Sequence, residues 1–260
     1  MLGIQPPSHF MRSVCSFGLL TTSLFTLAFQ QPAQAIGHQL HLSQIVFAAP
    51  QPPADQGAPS GRRQGGASRG PCRDYENLTA LTPVTSQGKV WGLTTLDRPT
   101  FWFHIPNNLG NDVPIEFVLQ DEADNYVYRT AFDAPTTQSG IINIDLSSSS
   151  ETLEVGKTYY WTFSIYCDAA HPSASVFVRG SVERVPLPDN LEQQLRTANP
   201  LEQAFLYAAN GIWHDALTQL ALLKQTNPND LRINTAWVEL LEQAGLEATA
   251  TAPIVPMLHP

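Results

Sequence analysis

The residues of this chain that could do chemistry are seven histidines and a scatter of carboxylates and serines, and their spacing limits what they can do. His9, His38, His41 and His259 lie near the two ends, while His104, His171 and His214 stand singly in between. None falls in an H-x-x-x-H or H-E-x-x-H pattern, the spacings that put two imidazoles on one helix face around zinc. Asp168 and Glu183 could work as an acid–base pair only if folding brought them together. Asp121-Glu122-Ala123-Asp124-Asn125 offers carboxylates to calcium but lacks the central glycine and distal glutamate of a loop-type site. A solvated hairpin turn is the expectation there. Ser173 and Ser175 have no flanking glycines of a nucleophile elbow. The expected inventory is therefore no catalytic residue, no metal ligand and no cofactor.

Cysteine chemistry gives a clearer expectation. Residues 1–35 run from one basic side chain, Arg12, through the apolar stretch 14–29 to Ala33-Gln34-Ala35. That is the order of a secretory signal peptide, so the chain is expected to be exported to the periplasm or outside the cell. This sixteen-residue stretch, diluted by Ser and Thr, falls short of the roughly 20 residues that span a bilayer, so no membrane span is expected. After Ala35 only Cys72 and Cys167 remain, and an exported compartment permits their oxidation, so a Cys72–Cys167 disulfide is expected.

Charge narrows the partners. The whole chain carries a formal −9, and removing Arg12 with the signal leaves −10. Such acidity argues against a nucleic-acid partner, because neutralising phosphates takes clustered cations. The exception is residues 36–70, rich in Pro, Gln, Ala and Gly, where Arg62, Arg63 and Arg69 precede Arg73. This segment is expected to be a disordered linker, with its arginines either a cationic tag or a solvated arm.

Residues 71–186 alternate with the period of β-strands. Phe101, Phe103 and Ile105 oppose Thr100, Trp102 and His104; Ile115, Phe117 and Leu119 oppose Glu116, Val118 and Gln120. Tyr159, Trp161, Phe163, Ile165 and Cys167 make the longest such face. Seven or eight short strands at this spacing predict an antiparallel, two-sheet β-sandwich. Leu153-x-x-Gly156-x-x-Tyr159 has the spacing of the tyrosine corner of immunoglobulin-like and fibronectin-like sandwiches, in which the tyrosine hydroxyl returns to the preceding turn.

Residues 187–246 change to helical signals. Asp189-x-x-Glu192 and Asn199-x-x-Glu202 are capping-box patterns. Apolar stripes follow over residues 201–208, 213–223 and 233–244, with Gly211, Pro228 and Gly245 as stops. Tyr207, Ala216, Leu220 and Pro228 approach tetratricopeptide-repeat spacing. A lone unit cannot cover its own apolar surface, so Trp213 and Trp237 must be buried by the sandwich or by another chain. Residues 247–260 are expected to be a disordered tail. The expected fold class is thus β + α, an antiparallel immunoglobulin/fibronectin-like sandwich followed by a small tetratricopeptide-like helical segment.

Gly61-Arg-Arg-x-Gly-Gly-Ala-Ser-Arg-Gly70 with Cys72, and Pro99-Thr-Phe-Trp-Phe-x-Ile-Pro106, resemble the secreted cyanobacterial family called domain of unknown function 928. So do Tyr160-Trp-x-Phe-Ser-Ile-x-Cys167-Asp168, Pro172-Ser-Ala-Ser-Val-Phe-Val178 and Val182-Glu-Arg-Val185. The similarity runs from about Gly61 to Leu246. It implies an exported envelope protein and brings no catalytic residues with it. A non-enzymatic envelope module that binds another protein through the sandwich and helical cap is the expected function. A carbohydrate- or surface-binding module is the alternative, and a hydrolase with a dispersed site comes third.

Overall fold

Alternating apolar residues in this chain make two sheets, and four amphipathic helices complete a mixed β + α fold. The computed structural model describes residues 44–51, 61–66, 70–110, 113–133, 137–168, 171 and 173–255. The expected signal peptide, 1–35, lies outside them. A five-stranded sheet has the order β2 (Trp91–Thr94), β8 (Ser175–Arg184), β7 (Thr158–Tyr166), β4 (Pro114–Gln120), β5 (Tyr126–Asp133). A three-stranded sheet has the order β1 (Thr79–Ala80), β3 (Thr100–Ile105), β6 (Gly140–Asp145). The pairings are antiparallel except one: β2 runs parallel to β8, with Trp91 opposite Ser181. That pair departs from the expected antiparallel arrangement, because β2 reaches β8 by a long connection through the other sheet rather than by a hairpin.

Phe101, Phe103 and Ile105 on β3 meet Phe117, Leu119, Trp161, Phe163 and Val178 of the larger sheet in one buried cluster. Phe103 stacks on Phe163 with ring centroids 4.3 Å apart. The opposite face of β3 is buried as well. Trp102, with Leu81 and Ile141, joins a second cluster made by helices α2 (Pro200–Ala209), α3 (Trp213–Thr226) and α4 (Leu231–Gln243). The molecule is therefore layered as sheet, sheet, helices, and β3 lies in the middle layer. The contact between the helices and the smaller sheet carries two polar anchors: Trp102 Nε1 donates to Thr218 Oγ1 at 3.0 Å, and Trp213 Nε1 to the Leu81 carbonyl at 2.8 Å. Trp213 and Trp237 are fully buried, and the chain itself supplies the cover.

Local signals are realised unevenly. Tyr159 Oη accepts from the Glu154 amide at 2.9 Å, closing the turn that Gly156 makes at φ +79°. Asn199 and Glu202 form the reciprocal capping box of α2. The Asp189 pattern does not, because α1 (Asp189–Thr197) begins at Asp189 itself with Pro188 in the capping position. Asp189 supplies a helix start but no cap, and four helices stand where three stripes were read.

Two segments expected to lack structure are packed where they are described. Arg62 pairs with Arg179 beside β8, and Gln64 with Thr79 beside β1, so residues 61–66 strap the edges of both sheets. Arg63 Nη1 and Nη2 donate to the carbonyls of Ala244 and Gly245 at 2.6 and 2.8 Å, a cationic cap on the end of α4. At the other end Ile254 bridges Ile141, covering the β6 edge, and Val255 is buried. Composition does not report this packing, because backbone pairing at a sheet edge needs no hydrophobic periodicity. Replacing Arg63 with Ala is expected to cost about 1–2 kcal/mol, since it strips two charge-assisted bonds from a helix terminus. A urea midpoint unchanged from wild type would contradict that role for Arg63.

Candidate functional site

The residues singled out by type divide between several places. Asp168 Oδ2 lies 2.7 Å from His171 Nδ1, but this pair sits on an exposed turn after β7. Glu183 is on β8 and His104 on β3, in different sheets. Burial raises the Glu183 pKa, helped by Glu122, and burial lowers that of His104. Asp121 spends its carboxylate on its own loop, accepting from the amides of Ala123 and Asn125 at 2.9 Å each. That is the hairpin turn, with Asp124 at φ +63°. Ser175 opens β8, opposite Tyr166.

A depression of about 490 Å³ opens between the end of α3 and the chain terminus, lined by Lys224, Gln225, Pro228, Pro253 and Ile254. The Lys224 ammonium is engaged by the Asn234 side chain. The depression gathers neither the histidines nor the carboxylates named above.

The sequence expectation of a bridge is met. Cys72, on a short 3-10 turn, bonds to Cys167 at the end of β7 across 5.2 Å between Cα atoms.

The more promising surface is one that residue type alone did not single out. On β7, Tyr159, Trp161, Phe163 and Ile165 face the core, so Tyr160, Thr162, Ser164 and Tyr166 face outward. Register then builds rows across the sheet. Glu116, Ser164 and Phe177 form one; Arg129, Val118, Thr162 and Arg179 the next; Gln120, Tyr160 and Ser181 a third. Tyr166 Oη donates to Glu116 Oε2 at 2.6 Å, and Arg129 Nε to Glu116 Oε1 at 2.7 Å. Burial alone would raise the Glu116 pKa, but these two bonds prevail and hold it below its ordinary value. The Arg62 guanidinium lies 4.7 Å over the Phe177 ring. One end of the face is thus aromatic and arginine-rich. The other end is acidic: Tyr160 there feels Glu122 and Asp124, and burial together with those charges raises its pKa.

A family model described as Domain of Unknown Function (DUF928) matches residues 64–254, which is 191 of 260 residues. The chain belongs to this family. No curated protein matches it. The matched span begins within the strap at Gln64 and ends at Ile254, so this DUF928 domain takes in both sheets, all four described helices, part of the strap and the segment that covers the β6 edge. The family span thus covers most of the packed body, and residues 44–51 and 61–63 of that body lie outside it.

One buried polar pair lies inside that body. Asp215, in the first turn of α3, accepts from Thr94 Oγ1 at 2.6 Å and the Thr95 amide at 3.0 Å, and also from Thr95 Oγ1. It ties the helix to the end of β2, although burial raises its pKa. His214 beside it is wholly buried, and neither ring nitrogen has a hydrogen-bond partner. Burial depresses its pKa to about 4, with a contact to the Thr100 backbone acting weakly against this. Among the described residues no group of three potential metal ligands surrounds it. The pair joins layers of the fold. Sequence reasoning listed His214 only as a solitary histidine and passed over Asp215, whose signal was its place in the first turn of a helix.

Proposed function

We propose that this DUF928 chain is a non-enzymatic, exported module of a cyanobacterial-type cell envelope, with an immunoglobulin/fibronectin-like sandwich and a tetratricopeptide-like cap. It binds a partner protein through the outer face of the five-stranded sheet. Export is supported by the signal-like residues 1–35 and by a disulfide, which persists in oxidising compartments. Among the described residues no helix is long and apolar enough to cross a membrane.

The observation that carries the reading is the Arg62–Phe177 stack beside the Tyr166–Glu116–Arg129 network. Tyrosine and arginine held on a rigid sheet are the side chains that dominate protein interfaces when desolvated. Sandwich and helical cap were together the expected partner face, and the apolar stripes of the helices are filled by Leu81, Trp102 and Ile141 and by the chain's own Ile45. The helical cap thereby supports the binding face rather than forming it.

The test is crosslinking and pull-down from native envelope with wild type and with Tyr166→Ala/Phe177→Ala. The variant is expected to lose about 2 kcal/mol of binding, roughly thirty-fold in affinity, with its melting temperature little changed. Equal recovery of the same partner by both proteins removes the sheet face from consideration. A second reading, carbohydrate binding, is favoured by Thr162 and Ser164 hydroxyls lying beside Tyr166 and Phe177. Retention of wild type but not the variant on immobilised acidic polysaccharide would select it.

A further inference from the structure

Residues 44–51 lie outside the family's matched span, yet they are seated on it as a ligand would be. From Ile45 to Phe47 the side chains alternate: Ile45 is wholly buried, Val46 is 60% exposed, and Phe47 turns inward again, before the Ala49 amide turns back to the Phe47 carbonyl. Ile45 enters the cluster built by Phe205, Ala208, Trp213, Leu217 and Leu240. Phe47 meets Trp213 edge to face, with centroids 5.0 Å apart.

The backbone of the segment is gripped as well. The Gln243 side chain accepts from the Phe47 amide at 2.8 Å and donates to the Ile45 carbonyl at 3.0 Å. The Ala208 carbonyl, near the end of α2, accepts from the Ala48 amide at 3.0 Å. Gly211 leaves the room for this: a Cβ there would stand 2.7 Å from the Ala48 carbonyl oxygen and 2.9 Å from Pro50. One side-chain amide reading two backbone groups, apolar seats for Ile45 and Phe47, and a glycine cleared beneath the chain are the parts of a peptide-binding groove.

We propose that α2, α3 and α4 form such a groove for an extended Ile-x-Phe segment, and that it takes this segment from a second copy of the chain as well as from its own. The occupant's complementarity is already given, because each contact made in cis is reproduced in trans by an identical sequence. Exchange of an identical element is a low-cost route to a dimer. The cis segment, tethered to its own groove, competes at high effective concentration and holds exchange down in the wild type.

Two full-length variants separate these roles. Ile45→Asp places a charge where the pocket is apolar, leaving an intact groove with an inactive segment. Gly211→Ala blocks the groove and leaves an intact segment. Mixed in equal amounts, the two are expected to sediment at twice the mass that either shows alone. As a second measurement, a fluorescent synthetic peptide spanning residues 44–51 is expected to bind Ile45→Asp at least ten-fold more tightly than wild type, whose groove is occupied. A peptide that binds Ile45→Asp no better than a scrambled peptide overturns the groove. Peptide binding without a mixed dimer overturns the exchange between copies. Should Gly211→Ala fail to fold, Gln243→Ala takes its place in the mixture.

Discussion

Removing the Cys72–Cys167 bridge, as Cys72→Ala/Cys167→Ala, is expected to lower the free energy of unfolding by up to about 4–5 kcal/mol. The two residues are 95 apart in sequence, and closing so long a loop in the unfolded chain is what the bridge accomplishes. Without it the unfolded ensemble regains the freedom to separate these points, while the folded state keeps both sheets and their shared core. Some loss will also come from the folded side. Cys72 is 1% exposed, so two methyl groups must fill a site shaped for two sulfurs. The effect reads out in urea titrations of the unreduced wild type and the double variant. The bridged protein should show the higher midpoint and the smaller slope, because its unfolded state exposes less surface. Mature wild type should also contain no free thiol. Coincident titrations would show that the bridge constrains nothing that matters to folding.

The sequence carried the parts of the fold that depend on periodicity. Alternation from Phe101 to Ile105 and from Tyr159 to Ile165 placed those residues on the inter-sheet core, because side-chain direction along a strand has period 2. The same strand held evidence of a third layer. Trp102 on the supposed outer face was too large to leave in water, and it is buried beneath the helices. Parallel pairing of β2 with β8 left no trace, since the register of distant strands is not written in either strand.

The straps were hidden for a related reason. Arg62, Arg63 and Gln64 contribute backbone pairing, a helix cap and a ring stack, none of which changes local composition. The candidate face was half legible. Tyr160 and Tyr166 could be read as facing away from Trp161. Their neighbours Arg129, Glu116 and Phe177 come from other strands, and only the sheet register brings them alongside.

Acid is expected to weaken this protein well above the pH at which its carboxylates titrate, and His214 is the reason. Its folded pKa is about 4 against an ordinary 6.5, so the folded state binds its proton less readily than the unfolded state. A group depressed in this way contributes stability in full above pH 6.5 and loses it progressively as pH falls toward 4. The difference amounts to roughly 3 kcal/mol. The cause is geometric. The imidazole is packed edge-on against Phe101, with centroids 5.2 Å apart, and so close to β2 that a Cβ on Gly92 would stand 3.1 Å from it. A charged ring there, wholly buried, has no hydrogen-bond partner to offset its desolvation.

Two carboxyls work in the opposite direction. Asp215 and Glu183 have raised folded pKa values, so they take up protons more readily when folded and return part of the loss as pH falls. Half-buried His104 is depressed like His214 and adds to it. Substituting His214 isolates its share. Urea midpoints of wild type should fall between about pH 7.5 and 4.5, whereas those of His214→Leu should fall by much less over that range, by the share left to His104. At about pH 7.5 the variant should be close to wild type in stability, because no hydrogen bond is lost with the ring. If both proteins lose stability in parallel below pH 6.5, the acid sensitivity belongs to groups other than His214.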